Sequence, residues 1–158
     1  MGSHHQGAPK EVKVLDAFIK LRRASESISA RLSQDFLNWE ITESQFGILE
    51  ALLHLGPLCQ KELGNKILKS TGNITLVIDN LEKRGFVFRV RETDDRRFIK
   101  VHLTDLGKSF IEKIFPFHVQ RIKEEFAVLD DSELYELGQI CKKLGKQPVV
   151  IPRDPKPV

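Results

Sequence analysis

The sequence predicts a mainly α fold completed by a small β-hairpin, an α+β arrangement in a single domain with extended ends. Three observations carry this. Apolar residues recur at three-, four- and seven-residue steps over most of the 158-residue chain. Helix-start signals of the Ser/Thr/Asp type precede these stretches. The segment from Phe86 to Leu103 instead holds two short β-rich runs joined by a polar turn.

The ends come first. Residues 1–10 are small and polar, and the Gly-Ser-His-His stretch with His4 and His5 has no part in the fold argument. No apolar stretch follows Met1–Gln6, so no secretory signal is expected, and the protein is expected in the cytoplasm. The tail, residues 147–158, carries Pro148, Pro152, Pro155 and Pro157. Proline fixes φ and lacks a backbone N–H, so the tail is expected to be an extended or disordered arm rather than a helix.

Between the ends, Phe18, Leu21, Ile28, Leu32 and Phe36 form one stripe, widened by Leu15 and Ile19, which predicts a long first helix from Val12 to Phe36. Thr42 and Gln45 make a capping box for a second helix through Phe46, Leu49, Leu52 and Leu53, stopped by Gly56-Pro57. A short third helix is expected from Gln60 to Ile67. Ser70 or Thr71 caps a fourth, which turns Ile74, Val77, Ile78 and Leu81 inward and ends at Gly85 as a left-handed C-cap. The runs Phe86–Arg91 and Phe98–Leu103, with the turn Glu92–Arg97, predict a hairpin. Thr104 caps a fifth helix bearing Leu106, Phe110, Ile111, Ile114, Phe115, Ile122 and Phe126, with a kink expected at Pro116. Asp130 and Glu133 open a last helix with Leu134, Leu137, Ile140, Cys141 and Leu144.

A helix-turn-helix followed directly by a two-stranded ribbon is the winged helix-turn-helix arrangement. Residues 37–103 form that lobe. Residues 11–36 and 104–146 supply extra helices whose apolar stripes need partners, and a second copy of the chain is the natural one.

Composition excludes other classes. Hydrophobic residues make up 41% of the chain, yet no apolar run approaches the roughly 18 residues that a membrane helix needs. No membrane partner is expected. Cys59 and Cys141 form no CxxC pair, which suits a reducing compartment. The histidines are scattered without metal-ligand spacing, so no metal and no cofactor are expected. Gly107-Lys108-Ser109 imitates the end of a phosphate-binding loop, but His102 stands where that loop needs glycine. Asn73-Ile74-Thr75 is a glycosylation sequon without a secretory context. An enzyme is not expected.

Charge is concentrated instead. Lys83, Arg84, Arg89, Arg91, Arg96, Arg97 and Lys100 oppose Glu92, Asp94 and Asp95, so residues 83–100 carry +4 of a chain total of +3. A basic ribbon beside a helix with small polar exposed residues suits duplex DNA. On the fourth helix those residues are Thr71, Gly72, Asn73, Thr75, Asn80 and Lys83. Asn73 and Thr75 are base-edge candidates. An ordinary solvated helix and hairpin remain the competing reading.

The run Ser70-Thr71-Gly72-Asn73-Ile74-Thr75, continued by Val77 to Val87, resembles the recognition helix of the MarR family. Asp95-Arg96-Arg97 with Val101, Leu103 and Thr104 is similar to that family's wing signature. Phe115-Pro116-x-His118 and Leu129-x-x-x-Glu133 add to the likeness, which spans Leu15 to Leu144. The resemblance implies a homodimeric regulator, most often a repressor, that reads a pseudo-palindromic operator. Arg97 would enter the minor groove, Asp95 would hold its guanidinium, and Arg96 would meet phosphate. Ser70, Thr71, Gly72, Lys83 and Arg84 complete the DNA-facing set. Leu15, Phe18, Ile19, Phe115, Phe117, Ile122, Leu137 and Ile140 would form the dimer interface.

The resemblance further implies a small aromatic, phenolic or quinone-like effector, held by Phe36, Trp39, Phe46, His54 and Phe110. Aromatics at helical spacing serve a core equally well. Two alternatives stand beside this: a winged helix that binds protein, and a repressor that senses oxidants through a thiol. Cys59 begins the third helix, where a helix N-terminus favours a thiolate. Burial as an inert thiol is the expectation for both cysteines.

Overall fold

The computed structural model describes residues 5–67, 71–91 and 99–146. The chain divides into two units, Met1–Ile122 and Lys123–Val158. The first holds α1 (Pro9–Asn38), α2 (Glu43–Leu55), β1 (Leu58–Cys59), α3 (Gln60–Lys66), α4 (Thr71–Lys83), β2 (Val87–Arg91), β3 (Ile99–Leu103) and most of α5 (Asp105–Phe126). The second holds the end of α5 and α6 (Asp131–Gly145).

Local chemistry sets the boundaries. Pro9 occupies the first turn of α1, where its missing N–H has no helical partner to lose. The expected capping boxes are formed. Gln45 N–H donates to Thr42 Oγ1 at 3.2 Å while Thr42 N–H donates to Gln45 Oε1 at 2.9 Å. Asp130 and Glu133 exchange the same pair of bonds at 2.9 and 3.0 Å. Gly107 N–H donates to Thr104 Oγ1 at 2.9 Å, as a cap for α5 requires. Gly85 ends α4 with φ +72°, the left-handed conformation in which a side chain is strained.

The first unit is built around one core. Ile48, Leu49, Leu63, Ile74, Ile78, Leu81, Val101 and Ile111 are fully buried, joined by Phe36, Phe46, Phe86 and Val87. The strands form an antiparallel sheet in the order β1-β3-β2, with Arg89 opposite Val101 and Leu58 opposite Val101 on the other side. Strand β1 is an addition to the expected hairpin. Two residues are too few for a period to register, and their pairing with β3 is non-local. It ties the start of α3 to the ribbon.

Three expectations differ in detail. Helix α1 is longer at both ends than Val12–Phe36. Helix α5 continues through Pro116 as one helix. The cysteines are not buried: Cys59 is half-buried and Cys141 exposed. Cys141 lies on α6, which buries no residue at all. Likewise Phe36 is the one buried residue of α1, while Phe18 and Leu21 of its stripe stay exposed. The amphipathic outer helices carry apolar faces that the described residues leave uncovered.

Candidate nucleic-acid interface

Helix α4 turns Ile74, Ile78 and Leu81 into the core and leaves Asn73, Thr75, Leu76, Asn80 and Lys83 exposed. This is the amphipathic split expected of a recognition helix. Leu76 is 62% exposed in the middle of the polar face, and it escaped the sequence reading. Its signal was available: 73, 76, 80 and 83 share one helix face. Thr75 Oγ1 accepts a 2.9 Å hydrogen bond from Gln60 Nε2, so the first residue of α3 steadies a base-edge candidate.

The basic residues of the ribbon divide into two groups. Arg89, only 20% exposed, donates to Asp79 Oδ1 at 2.5 Å and also to Glu82, and its backbone N–H donates to Glu82 Oε1 at 3.1 Å. It therefore ties β2 to α4 instead of facing a ligand. Arg84, expected among the DNA-facing residues, is exposed and also has a contact within the chain. Its Nη1 donates to the Glu40 carbonyl at 2.6 Å, and its guanidinium lies 4.8 Å from the Phe86 ring centroid. Glu40, at φ 54°, is the left-handed residue that ends the corner after α1. Arg84 thus joins the ends of α1 and α4. Lys83 and Arg91 are exposed and have no ion pair among the described residues. Of the other DNA-facing expectations, Thr71 and Gly72 fall at the start of α4. Ser70, Asp95, Arg96 and Arg97 lie outside the described residues.

The aromatic set comes together only in part. Phe36, Trp39 and Phe46 meet with centroid separations of 5.3 to 6.1 Å. His118, absent from the expected set, joins them at 4.4 Å from Phe46 and 5.4 Å from Phe36. The family-like stretch Phe115-Pro116-x-His118 had already singled it out. His54 instead lies edge-on to Phe115 at 4.7 Å, and Phe110 stacks on Phe86 at 4.7 Å. Phe115 packs against the core, so this interface candidate has a partner within its own chain.

A cavity of about 300 Å³ opens beside this cluster, lined by Leu32, Phe36, Glu43, Phe46, Glu50 and His118, among others. His54 lines a neighbouring hollow that shares Gly47, Glu50 and Ile67 with it. Trp39 packs behind Phe36 and does not line it. Burial pushes the His118 imidazole below its ordinary value, against the opposing pull of Glu50, Asp35 and Glu43. His118 Nδ1 is buried without a hydrogen-bond partner among the described residues. Beside it, Arg121 Nε donates to Asp35 at 3.2 Å and links α5 to α1.

The sequence profile of the MarR family matches residues 41–99. The regulator YkoM of Bacillus subtilis, a helix-turn-helix protein, is 33% identical over 133 residues, covering 84% of this chain and 86% of its own. The chain belongs to the MarR family. The transcriptional regulator MhqR of the same organism is 32% identical, over 84% of this chain and 92% of its own. Among solved structures, Bordetella bronchiseptica BpsR, whose DNA binding is regulated by 6-hydroxynicotinic acid, has 25% identity and a TM-score of 0.75 over 81% of this chain and 91% of its own. Streptomyces coelicolor Sco3205, solved in complex with DNA, shares the fold at 21% identity with a TM-score of 0.80, over 94% and 95% of the two chains. The protein is a DNA-binding transcriptional regulator with a winged helix. Among the described residues no helix is long and apolar enough to cross a membrane, and no three His, Cys, Asp or Glu are grouped as metal ligands.

Proposed function

We propose that two copies of the chain form a cytoplasmic homodimeric repressor that occupies a pseudo-palindromic operator and is released by a small aromatic effector. The observation that carries the DNA half is the exposed face of α4, Asn73, Thr75, Leu76, Asn80 and Lys83, beside a basic ribbon. Amide and hydroxyl groups read base edges in the major groove, and Leu76 suits a thymine methyl. From the family resemblance, Arg97 takes the minor groove with Asp95 as its holder, and Arg96 takes phosphate.

Exposed apolar residues support the dimer. Phe18 and Phe117 are 54% and 63% exposed in the first unit, with Leu15 less so at 37% and Ile19 and Ile122 half-buried. Ile140 is 56% exposed in the second unit, where Leu137 is half-buried. Large exposed apolar side chains on this scale mark a protein interface. BpsR supports an aromatic effector by analogy, and the Phe36–Phe46–His118 wall supports it on this chain. A phenolic or quinone-like ring fits such walls. On binding, the ligand would alter the separation of the two recognition helices, which must match major grooves about 34 Å apart.

The test is twofold. Replacing Asn73 with Ala should relax sequence preference more than it lowers non-specific affinity. Replacing Arg97 with Ala should weaken operator binding by about 1–3 kcal/mol. Unchanged affinity in both variants would remove the assigned interface.

A further inference from the structure

The cavity beside Phe36 has an electrostatic character that narrows its ligand, on the reading that it is the effector site. Glu43 and Glu50 lie seven residues apart on one face of α2, and both line it. Neither has an ion pair or hydrogen bond among the described residues. Among the described residues, none that lines it is Lys or Arg. The nearby Arg121 is engaged with Asp35, and Lys66 lines the adjoining hollow, which shares Glu50 with this one, without an ion pair between them. His118, the remaining titratable group of the lining, is held toward its neutral form by burial.

We propose that this cavity takes an aromatic ammonium ion, with its ring on the Phe36 and Phe46 wall and its positive charge at Glu43 and Glu50. Two carboxylates with no counter-ion among the described residues repel an anion and attract a cation. Aromatic faces add to this, because the ring quadrupole is negative on its face. The two carboxylates are acceptors only, so a ligand that brings donors suits them. An ammonium group brings up to three. A hydroxyl on the ring is compatible with the same walls. An aromatic carboxylate such as the one that regulates BpsR carries the opposite charge and would be rejected.

Three probes of matched shape decide it: 2-phenylethylammonium, 2-phenylethanol and phenylacetate. Isothermal calorimetry with the full chain at neutral pH should rank them in that order. The ammonium should bind at least about tenfold more tightly than the carboxylate, with a preference that shrinks as salt is raised. The double variant Glu43→Gln/Glu50→Gln should lose the preference, and Glu50→Gln alone should reduce it. A carboxylate or alcohol that binds best overturns the proposal and leaves the aromatic-effector reading intact. An ammonium preference that survives in a folded double variant also overturns it. Absence of binding by all three probes refutes the effector reading itself, and the proposal with it.

Discussion

Arg89 offers the sharpest test of how the winged helix is held in shape. Replacing it with Met keeps the aliphatic stem and removes the guanidinium. The lost contacts are the bond to Asp79 at 2.5 Å and the bond to Glu82. At an effective dielectric of 20, a pair about 4 Å apart gains roughly 4 kcal/mol, and at the dielectric of water roughly 1. Asp79 and Glu82 are 42% and 38% exposed, so they regain much of their hydration once the arginine is gone. Exposed pairs are worth about 0.2–1 kcal/mol and hydrogen bonds to charged groups about 1.5–3. The expected loss is therefore about 1–3 kcal/mol, read as a fall in the urea midpoint with an unchanged slope. Part of that loss is two like charges left side by side. The triple variant Arg89→Met/Asp79→Asn/Glu82→Gln should recover most of it. A single variant within about 0.5 kcal/mol of the parent, or a triple variant no more stable than the single, would refute this account. The salt slope of DNA binding should be unchanged in Arg89→Met, because this arginine meets carboxylates and not phosphate.

Other outcomes follow from particular contacts. A Cβ on Gly107 would sit 1.9 Å from the Phe86 carbonyl oxygen, so Gly107→Ala must push α5 off the backbone that leads into β2; a loss of about 1–3 kcal/mol in chemical denaturation is expected, and a stabilised variant would show that helix propensity wins instead. Leu76→Ala should weaken operator binding and should no longer distinguish thymine from uracil at one position of the duplex, whereas an equal thymine preference in both proteins removes the methyl contact. Arg84→Met cuts the tie to Glu40 and should leave DNA affinity near the parent's while blunting effector release in a fluorescence assay; full release would show that coupling takes another route. The folded-state value of His118 is lowered, so its unfolded form takes up a proton first as the pH drops. Its contribution to stability is complete above the ordinary value of 6.5 and drains away from there toward the folded value. His118→Phe should flatten that part of the stability profile, and an unaltered profile would assign the acid loss to other groups.

Features fixed by near neighbours in sequence were legible. The Thr42–Gln45 and Asp130–Glu133 boxes, the Thr104 cap and the left-handed Gly85 each depend on a few adjacent residues, and each is formed. Contacts that depend on how elements cross were not. Arg89 reads as one more cation in a basic run until β2 is laid over α4, and only then does it meet Asp79 and Glu82. Arg84 reads only as a member of the DNA-facing set, and the tie to the Glu40 carbonyl shows once the corner after α1 is in place. The aromatic set divided for the same reason. Phe36, Trp39 and Phe46 share one corner, while Phe110 faces Phe86 and His54 faces Phe115. The stripe of α1 was legible as one that needs a partner, and the exposure of Phe18 and Leu21 agrees with that reading.

The most direct test of the account is fluorescence anisotropy of the full chain with a labelled duplex from upstream of its own gene, titrated at several salt concentrations beside a scrambled duplex. Sequence-selective operator binding by the MarR-family dimer predicts affinity at least about a thousandfold above the scrambled duplex, with a steep fall as salt rises. Equal, weak and nearly salt-independent binding to this duplex and to genomic fragments recovered by selection would contradict it.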